Sequence, residues 1–351
     1  MMGKLKKLTG YRLFLPLSCL IIVLLINLIT TPTFFRITIN NGVLYGYIID
    51  VINRASELVV LAVGMTLVVS ASAGTDISVG AVMAVAAAVC TRVLAGGEVS
   101  VNEYANPYVL AVLAALAAAV VCGGFNGLLV AKLKIQPMVA TLILFTAGRG
   151  ISQLVTNGQI TYIRVDGYKL LGNNIPGIPI PTPIFVAVIV VALTYILLKK
   201  TAMGMYIQSV GINERASRLV GLKSVKIIWM AYAFCGLCAG IAGLVASSRI
   251  YSADANNIGL NMELDAIAAV ALGGNSLGGG RFSLLGSVIG AYTIQALTTT
   301  LYAMSVPADQ IPVYKAIVVI LIVAVQSEEL KKFRKRLASR HSSKNVEGGV
   351  A

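Results

Sequence analysis

Four ionisable residues stand within or at the edge of long apolar runs: Asp76 just after Gly74, Arg149 between Gly148 and Gly150, and Glu263 and Asp265 at the head of a run ending at Leu272. Charge in hydrocarbon is costly, so each marks either a structural pair or a transport site. Asp76 could anchor the end of a broken helix or work as a gate. For Arg149, ion pairing or bonding to carbonyls would fix two helices together, and direct contact with a solute is the alternative. Glu263 and Asp265 fall where a first helical turn would begin, and negative charge there also complements the helix dipole. Asn275, inside the glycine-rich stretch Gly273 to Arg281, completes the set of pathway or gating candidates.

These residue types do not suggest catalysis. An intramembrane hydrolase needs a nucleophile with its base, and a metal-dependent transferase needs a carboxylate cluster. The sequence offers neither, and its one histidine, His341, lies in a basic tail. No G-x-x-x-x-G-K-[ST] phosphate loop occurs, so ATP binding by that means is not expected. The chain reads as a non-enzyme with no catalytic residue, cofactor or metal of its own. All five cysteines lie in or at the ends of apolar runs, where free Cys behaves as a small hydrophobe. Cys235 and Cys238 have C-x-x-C spacing, but without further ligands packing is the expected role.

The elements that must position these residues follow from composition. Of the 351 residues 57% are hydrophobic and 12% charged, too little polar surface to solvate a water-soluble chain. In lipid every backbone polar group must be satisfied internally, by helices or by a closed barrel. The runs are continuous and not alternating, which excludes the barrel. The expected fold is all-α, a polytopic membrane protein with about ten transmembrane helices. They are drawn as Leu13 to Ile29, Leu58 to Ala73, Ile77 to Val89, Tyr108 to Ala131, Pro137 to Val155, Ile184 to Leu198, Ile227 to Ala246, Glu263 to Leu272, Leu284 to Leu301 and Val313 to Val325. Residues 1–330 form a single transmembrane domain, and 331–351 a basic cytoplasmic tail. The start, with Lys4, Lys6, Lys7 and Arg12 before an apolar run, imitates a signal peptide, but no small-residue cleavage site follows and the first span is expected to stay.

An even number of spans puts both termini on one side. With that side cytoplasmic, 20 of the 28 Lys and Arg fall on cytoplasmic segments, as short inner loops require. The net charge of +14 therefore reads as membrane orientation, with the Lys331 to Lys344 tail held near anionic lipid, and not as nucleic-acid binding. Two interrupted helix pairs depart from the simple pattern. Near 58–91 only Gly74-Thr75-Asp76 separates two runs, and near 263–301 only the glycine-rich stretch does. At about 1.5 Å per residue, the run from Glu263 covers about half of a roughly 30 Å core. Irregular backbone at that depth needs protein or a water-filled cavity around it, which points to a transport pathway. Tight cytoplasmic hairpins are the plainer alternative.

The longest cytoplasmic loop, Lys199 to Lys226, holds Thr201, Gly204, Gly211, Asn213, Glu214, Arg215, Ala216, Arg218 and Gly221. Asn213 can cap a short helix that Gly221 ends. Such a helix, bearing Glu214, Arg215 and Arg218, could dock into a partner's groove or serve as a solvated connector.

With these motifs in view, the chain from about Asp50 to Gln326 resembles the ribose/galactoside-type permeases of bacterial ABC importers. The resemblance lies in Gly64-Met65-Thr66 through Gly74-Thr75-Asp76-Ile77-Ser78-Val79-Gly80-Ala81, in Thr201-Ala202-Met203-Gly204 with Val210-Gly211-Ile212-Asn213 and Gly221, and in Glu263-Leu264-Asp265-Ala266-Ile267-Ala268 with Gly273-Gly274 and Gly278-Gly279-Gly280. A galactofuranose-type subgroup is suggested by Lys134 to Leu144, by Ala147-Gly148-Arg149-Gly150 and by Ala253-Asp254-Ala255-Asn256-Asn257. Ala73 and Thr75 depart from the Gly-Gly-Ile-Asp usual in that first motif, and Glu214-Arg215-Ala216-Ser217 lacks the usual double Ala.

The resemblance implies import of a monosaccharide across a bacterial cytoplasmic membrane. It implies cytoplasmic ABC ATPase subunits, an extracytoplasmic sugar-binding protein and a second permease subunit, a different chain in galactofuranose-type systems and an identical one in a homodimer. It also makes Gly204, Gly211, Asn213, Glu214, Arg215, Ala216 and Gly221 the ATPase-coupling loop. A cation-coupled secondary sugar carrier, using Asp76 or Glu263 for the ion, is the alternative.

Overall fold

A computed structural model describes residues 13–40 and 42–326; the basic residues before Leu13 and the tail expected from 331 lie outside them. The described helices are α1 (Phe14–Thr30), α2 (Tyr47–Ser72), α3 (Val79–Ala95), α4 (Tyr108–Ala131), α5 (Pro137–Val155), α6 (Thr182–Lys200), α7 (Met203–Ile212), α8 (Glu214–Leu219), α9 (Ser224–Ile250), α10 (Met262–Leu272), α11 (Leu284–Ala303) and α12 (Ile311–Gln326). Six of them, α2, α4, α5, α6, α9 and α11, are long and apolar enough to cross a membrane. The remaining four expected runs are the shorter α1, α3, α10 and α12.

Two expected runs, those of α4 and α5, coincide with their helices end to end. By contrast, α2 starts at Tyr47 and not Leu58, because the charged side chains of its first turns find partners. Arg54 pairs with Asp50 one turn away at 3.5 Å, and Glu57 reaches Arg249 of α9 at 3.0 Å. Apolarity marks the greasy part of a helix; hydrogen bonding decides where the helix begins.

Packing centres on α9, which runs along α4, α2 and α3. Lipid tails are as apolar as the helices, so close association relies on small residues that let backbones approach. A side chain at Gly236 of α9 would collide with the Ala119 carbonyl and the Gly123 backbone of α4. One helical face over, Cys235 and Cys238 pack on Gly64 of α2, buried and free. Outward faces are apolar, with Val121 on α4 and Val188 and Leu193 on α6 among the exposed side chains.

The all-α expectation needs one correction, since the connections carry five short strands. An antiparallel hairpin pairs β1 (Thr38–Asn40) with β2 (Val43–Tyr45). A small sheet orders β3 (Ser100–Val101), β4 (Thr161–Ile163) and β5 (Ser252–Ala253), with β4 parallel to β3 and antiparallel to β5. These strands satisfy loop backbone groups and are too short to leave a period-2 signal. The loops separate into two groups. On one side lie this sheet and the hairpin, whose Leu44 N donates to the Pro179 carbonyl at 3.1 Å. On the other, Lys134 pairs with Glu214 and Gly280 N donates to the Ser70 carbonyl at 3.0 Å.

Candidate functional site

The first interruption folds back along α2. After α2 the chain turns through Ala73, in the left-handed region at φ 52°, and runs back alongside α2. Gly74 packs on Pro137 at the head of α5, and the Asp76 amide comes to 3.5 Å from the Met65 sulfur. At about 1.5 Å per residue, α3 therefore begins roughly 10 Å inside the end of α2. Buried Asp76 accepts from the Ser78 amide at 2.9 Å, the Ser78 hydroxyl at 2.6 Å and Asn126 of α4 at 3.5 Å. Ile77 N donates to Thr141 Oγ1 of α5 at 3.2 Å. These bonds clamp the head of α3 between α4 and α5.

The head of α10 meets the head of α3. Glu263, buried in the first turn of α10, lies against Gly80 of α3, and its Oε2 has no hydrogen-bond partner. The Gly259 carbonyl touches the same glycine, so the heads of α3 and α10 face each other. Asp265, also in that turn, instead pairs with Lys315 of α12 at 2.6 Å. Both carboxylates thus sit at a helix N-terminus, where the dipole favours them, but only Glu263 lies against α3.

Arg149 is not bonded to a neighbouring helix. Its Nη1 donates to the Ala255 carbonyl at 2.9 Å and the Ile258 carbonyl at 2.5 Å, while Nη2 is buried without a partner. Gln153, one turn on, donates to Asn256 at 2.7 Å, and Asp254 accepts from the Asn256 amide at 2.9 Å. The Ala253 to Asn257 motif is thus a turn hung from α5. Asn275 is fully engaged: it donates to the Val270 carbonyl at 3.0 Å and to Ser287 at 2.8 Å, and accepts from Ser283 N at 2.5 Å. Thr66 of α2 donates to that same Ser287 hydroxyl at 2.6 Å. Asn275 therefore closes the glycine-rich turn.

The segment from 201 to 223 touches both interruptions. Gly204 lies against the Leu198 carbonyl, setting the bend from α6 into α7. At the far end of α7, a side chain on Gly211 would collide with the Ser70 carbonyl and the Gly280 amide, the two atoms joined by a hydrogen bond of their own. Gly279 packs on Ala73 beside them. One backbone contact thus links α7 to the end of α2 and to the glycine-rich turn.

The expected capping is present: Asn213 accepts from Ala216 N at 2.9 Å to start α8, and Gly221 follows its end at φ 87°. Glu214 is no free surface charge. Burial alone would raise its pKa, but bonds from Lys134, Arg218 and Ser224 outweigh that and hold the carboxyl below its ordinary value. Arg215 is exposed, and so are Leu219 at 89% and Val220 at 77%.

Sequence reasoning missed Asn126, Ser70, Lys134 and the Leu219-Val220 tip. The first three show themselves only through partners far along the chain. The tip had a local signal, two apolar residues just before a glycine in a polar loop.

Against known proteins, the family described as "Branched-chain amino acid transport system / permease component" matches residues 47–326. The chain is 44% identical to the galactofuranose transporter permease protein of Escherichia coli (strain K12), covering 92% of each. It is 37% identical to the fructose import permease protein FruF of Bifidobacterium longum (strain NCC 2705), over 99% of this chain and 96% of that one. To the ribose import permease protein of Escherichia coli (strain K12) it is 35% identical, over 89% and 93%. No solved structure matches it. With its interrupted helices and its buried, apolar bundle falling inside the matched region, the chain belongs to this family of multi-pass membrane permease components.

Proposed function

We propose that this chain is the permease subunit of an ATP-binding-cassette importer that moves a monosaccharide into the cytoplasm. Separate ATPase subunits energise it, an extracytoplasmic sugar-binding protein feeds it, and a second permease subunit completes the passage. Three relatives of high coverage, named for galactofuranose, fructose and ribose, support sugar as the cargo. Those names lend nothing to the cation-coupled alternative. Counting α1, α3, α10 and α12 as spans gives ten crossings with both ends cytoplasmic, the arrangement favoured by the bias in Lys and Arg.

The observation that carries the reading is the contact of Gly211 with Ser70 and Gly280. A load applied to α7 and α8 reaches both interrupted helices without an intermediary. Exposed Leu219 and Val220, next to Arg215, form an apolar tip suited to an ATPase groove. Closure of the ATPase dimer would then rock the tip, and through Gly211 shift the heads of α3 and α10. This coupling needs the states to differ in those contacts.

The test is the double variant Asn213→Pro, Gly221→Leu. Asn213 sits at φ −156° and Gly221 at φ 87°, and neither replacement tolerates the local backbone. ATPase co-purification and ATP-dependent sugar uptake should both fall sharply. Wild-type levels of both would remove the coupling assignment.

A further inference from the structure

Both α6 and α11 pack on α2, and a groove runs between them along the outside of the bundle. Val188, Val191, Tyr195 and Lys199 follow one another at spacings of three and four residues, so a single face of α6 makes one wall. Leu285, Val288 and Tyr292 of α11 make the other, at the same spacings. This furrow has a volume of about 310 Å³ and no charged residue on its walls. At Tyr195 and Leu285 it runs into a second hollow of about 450 Å³, bounded by Lys199 and by Gly204 and Gln208 of α7. From Lys199 back to Val188 the groove covers roughly 16 Å at about 1.5 Å per residue, about half of a core roughly 30 Å thick.

The mouth carries one sign of charge. Lys199 and Lys200 end α6, and Arg281 precedes Phe282 on the opposite rim. No carboxylate lines either part. Among the described residues, neither the Lys199 ammonium nor the Gln208 amide has a protein partner. A soluble anion would answer the mouth alone and a hydrocarbon chain the furrow alone; a molecule with both parts answers the two together.

We propose that the groove holds an anionic phospholipid of the inner leaflet, its phosphate at Lys199 and Gln208 and one acyl chain laid along Val188, Val191 and Tyr292. Ammonium and amide N–H groups both donate to phosphate oxygens. Gly204 and Gln208 belong to the helix whose Gly211 touches Ser70 and Gly280, so the bound headgroup steadies the segment that makes that contact. The site itself is independent of the cargo and of the ATPase. Only its leaflet rests on the reading that the 201–223 segment faces the cytoplasm, and a binding test in detergent leaves that reading untouched.

The test takes the full chain, purified in detergent, and reads retained lipid by native mass spectrometry. Phosphatidylglycerol, phosphatidylcholine with the same acyl chains, or inorganic phosphate is titrated in. The parent chain should retain one phosphatidylglycerol in preference to phosphatidylcholine. Lys199→Gln should weaken phosphatidylglycerol about fivefold, the scale of one Lys at an anionic membrane surface, and leave phosphatidylcholine unchanged. Ala192→Trp fills the furrow and should weaken both lipids, whereas Leu193→Trp, outside the groove, should weaken neither. Lys199 is exposed, so its variant folds and carries the test if Ala192→Trp does not. Phosphatidylglycerol retained no better than phosphatidylcholine, or equally by the parent and Lys199→Gln, would overturn the proposal. Retention of phosphate with neither lipid would overturn it in favour of a free-anion site. No retained lipid, together with shielding of Met205→Cys from a maleimide by added ATPase subunits, would overturn it by giving the groove to a partner chain.

Discussion

Asp76 places a carboxylate among hydrogen-bond donors inside the bundle, and we propose that it anchors the head of α3. Removing it strands the Ser78 amide, at about 1–3 kcal/mol for a buried donor left unsatisfied. Asp76→Ala should therefore lower the thermal unfolding midpoint of the detergent-solubilised protein, and Asp76→Asn, which keeps a carbonyl acceptor, should lower it less. Equal loss from both variants would point to the charge itself and to gating. At Glu214 the pH dependence has a definite sign. Its folded pKa is depressed, so its contribution is present above the ordinary carboxylate pKa and fades as pH falls through the folded value. Hydrogen-exchange protection of residues 213–223 should weaken only as the pH falls below the ordinary carboxylate pKa, and Glu214→Gln should remove most of that dependence. Residue types such as Asp76, Arg149 and Glu263 were legible because charge is rare in apolar runs. Their partners were not: Asn126 lies 50 residues from Asp76, and Ile258 lies 109 from Arg149.

Among the elements, α4 and α5 could be read end to end because apolarity and helix coincide there. The polar start of α2 and the turn at 253–261 could not, since tertiary hydrogen bonds rather than local pattern hold them. Capping chemistry was the reliable local signal, and Asn213 and Gly221 bound α8 as their residue types require. Two predictions belong at this scale. Leu219→Asp puts a charge on the exposed tip and should weaken ATPase binding about tenfold or more, the scale of an interface anchor, read by co-purification or titration. Gly211→Ala forces α7 away from Ser70 and Gly280, so uptake should fall further than ATPase binding. Proportional loss of both would mean that α7 only holds the tip in place.

For the whole molecule, composition decides the solvent and the loops decide the sides. Basic segments assigned to the cytoplasm meet one another, as Lys134 meets Glu214 beside Arg218, while the small sheet and hairpin gather with the remaining loops. Everything proposed for the 201–223 segment depends on its facing the cytoplasm, where ATPases are. The most direct measurement is labelling of Arg215→Cys with a membrane-impermeant maleimide, relative to the parent chain, in intact cells and in everted vesicles. The account predicts rapid labelling in everted vesicles and none above background in intact cells. Ready labelling in intact cells would contradict it.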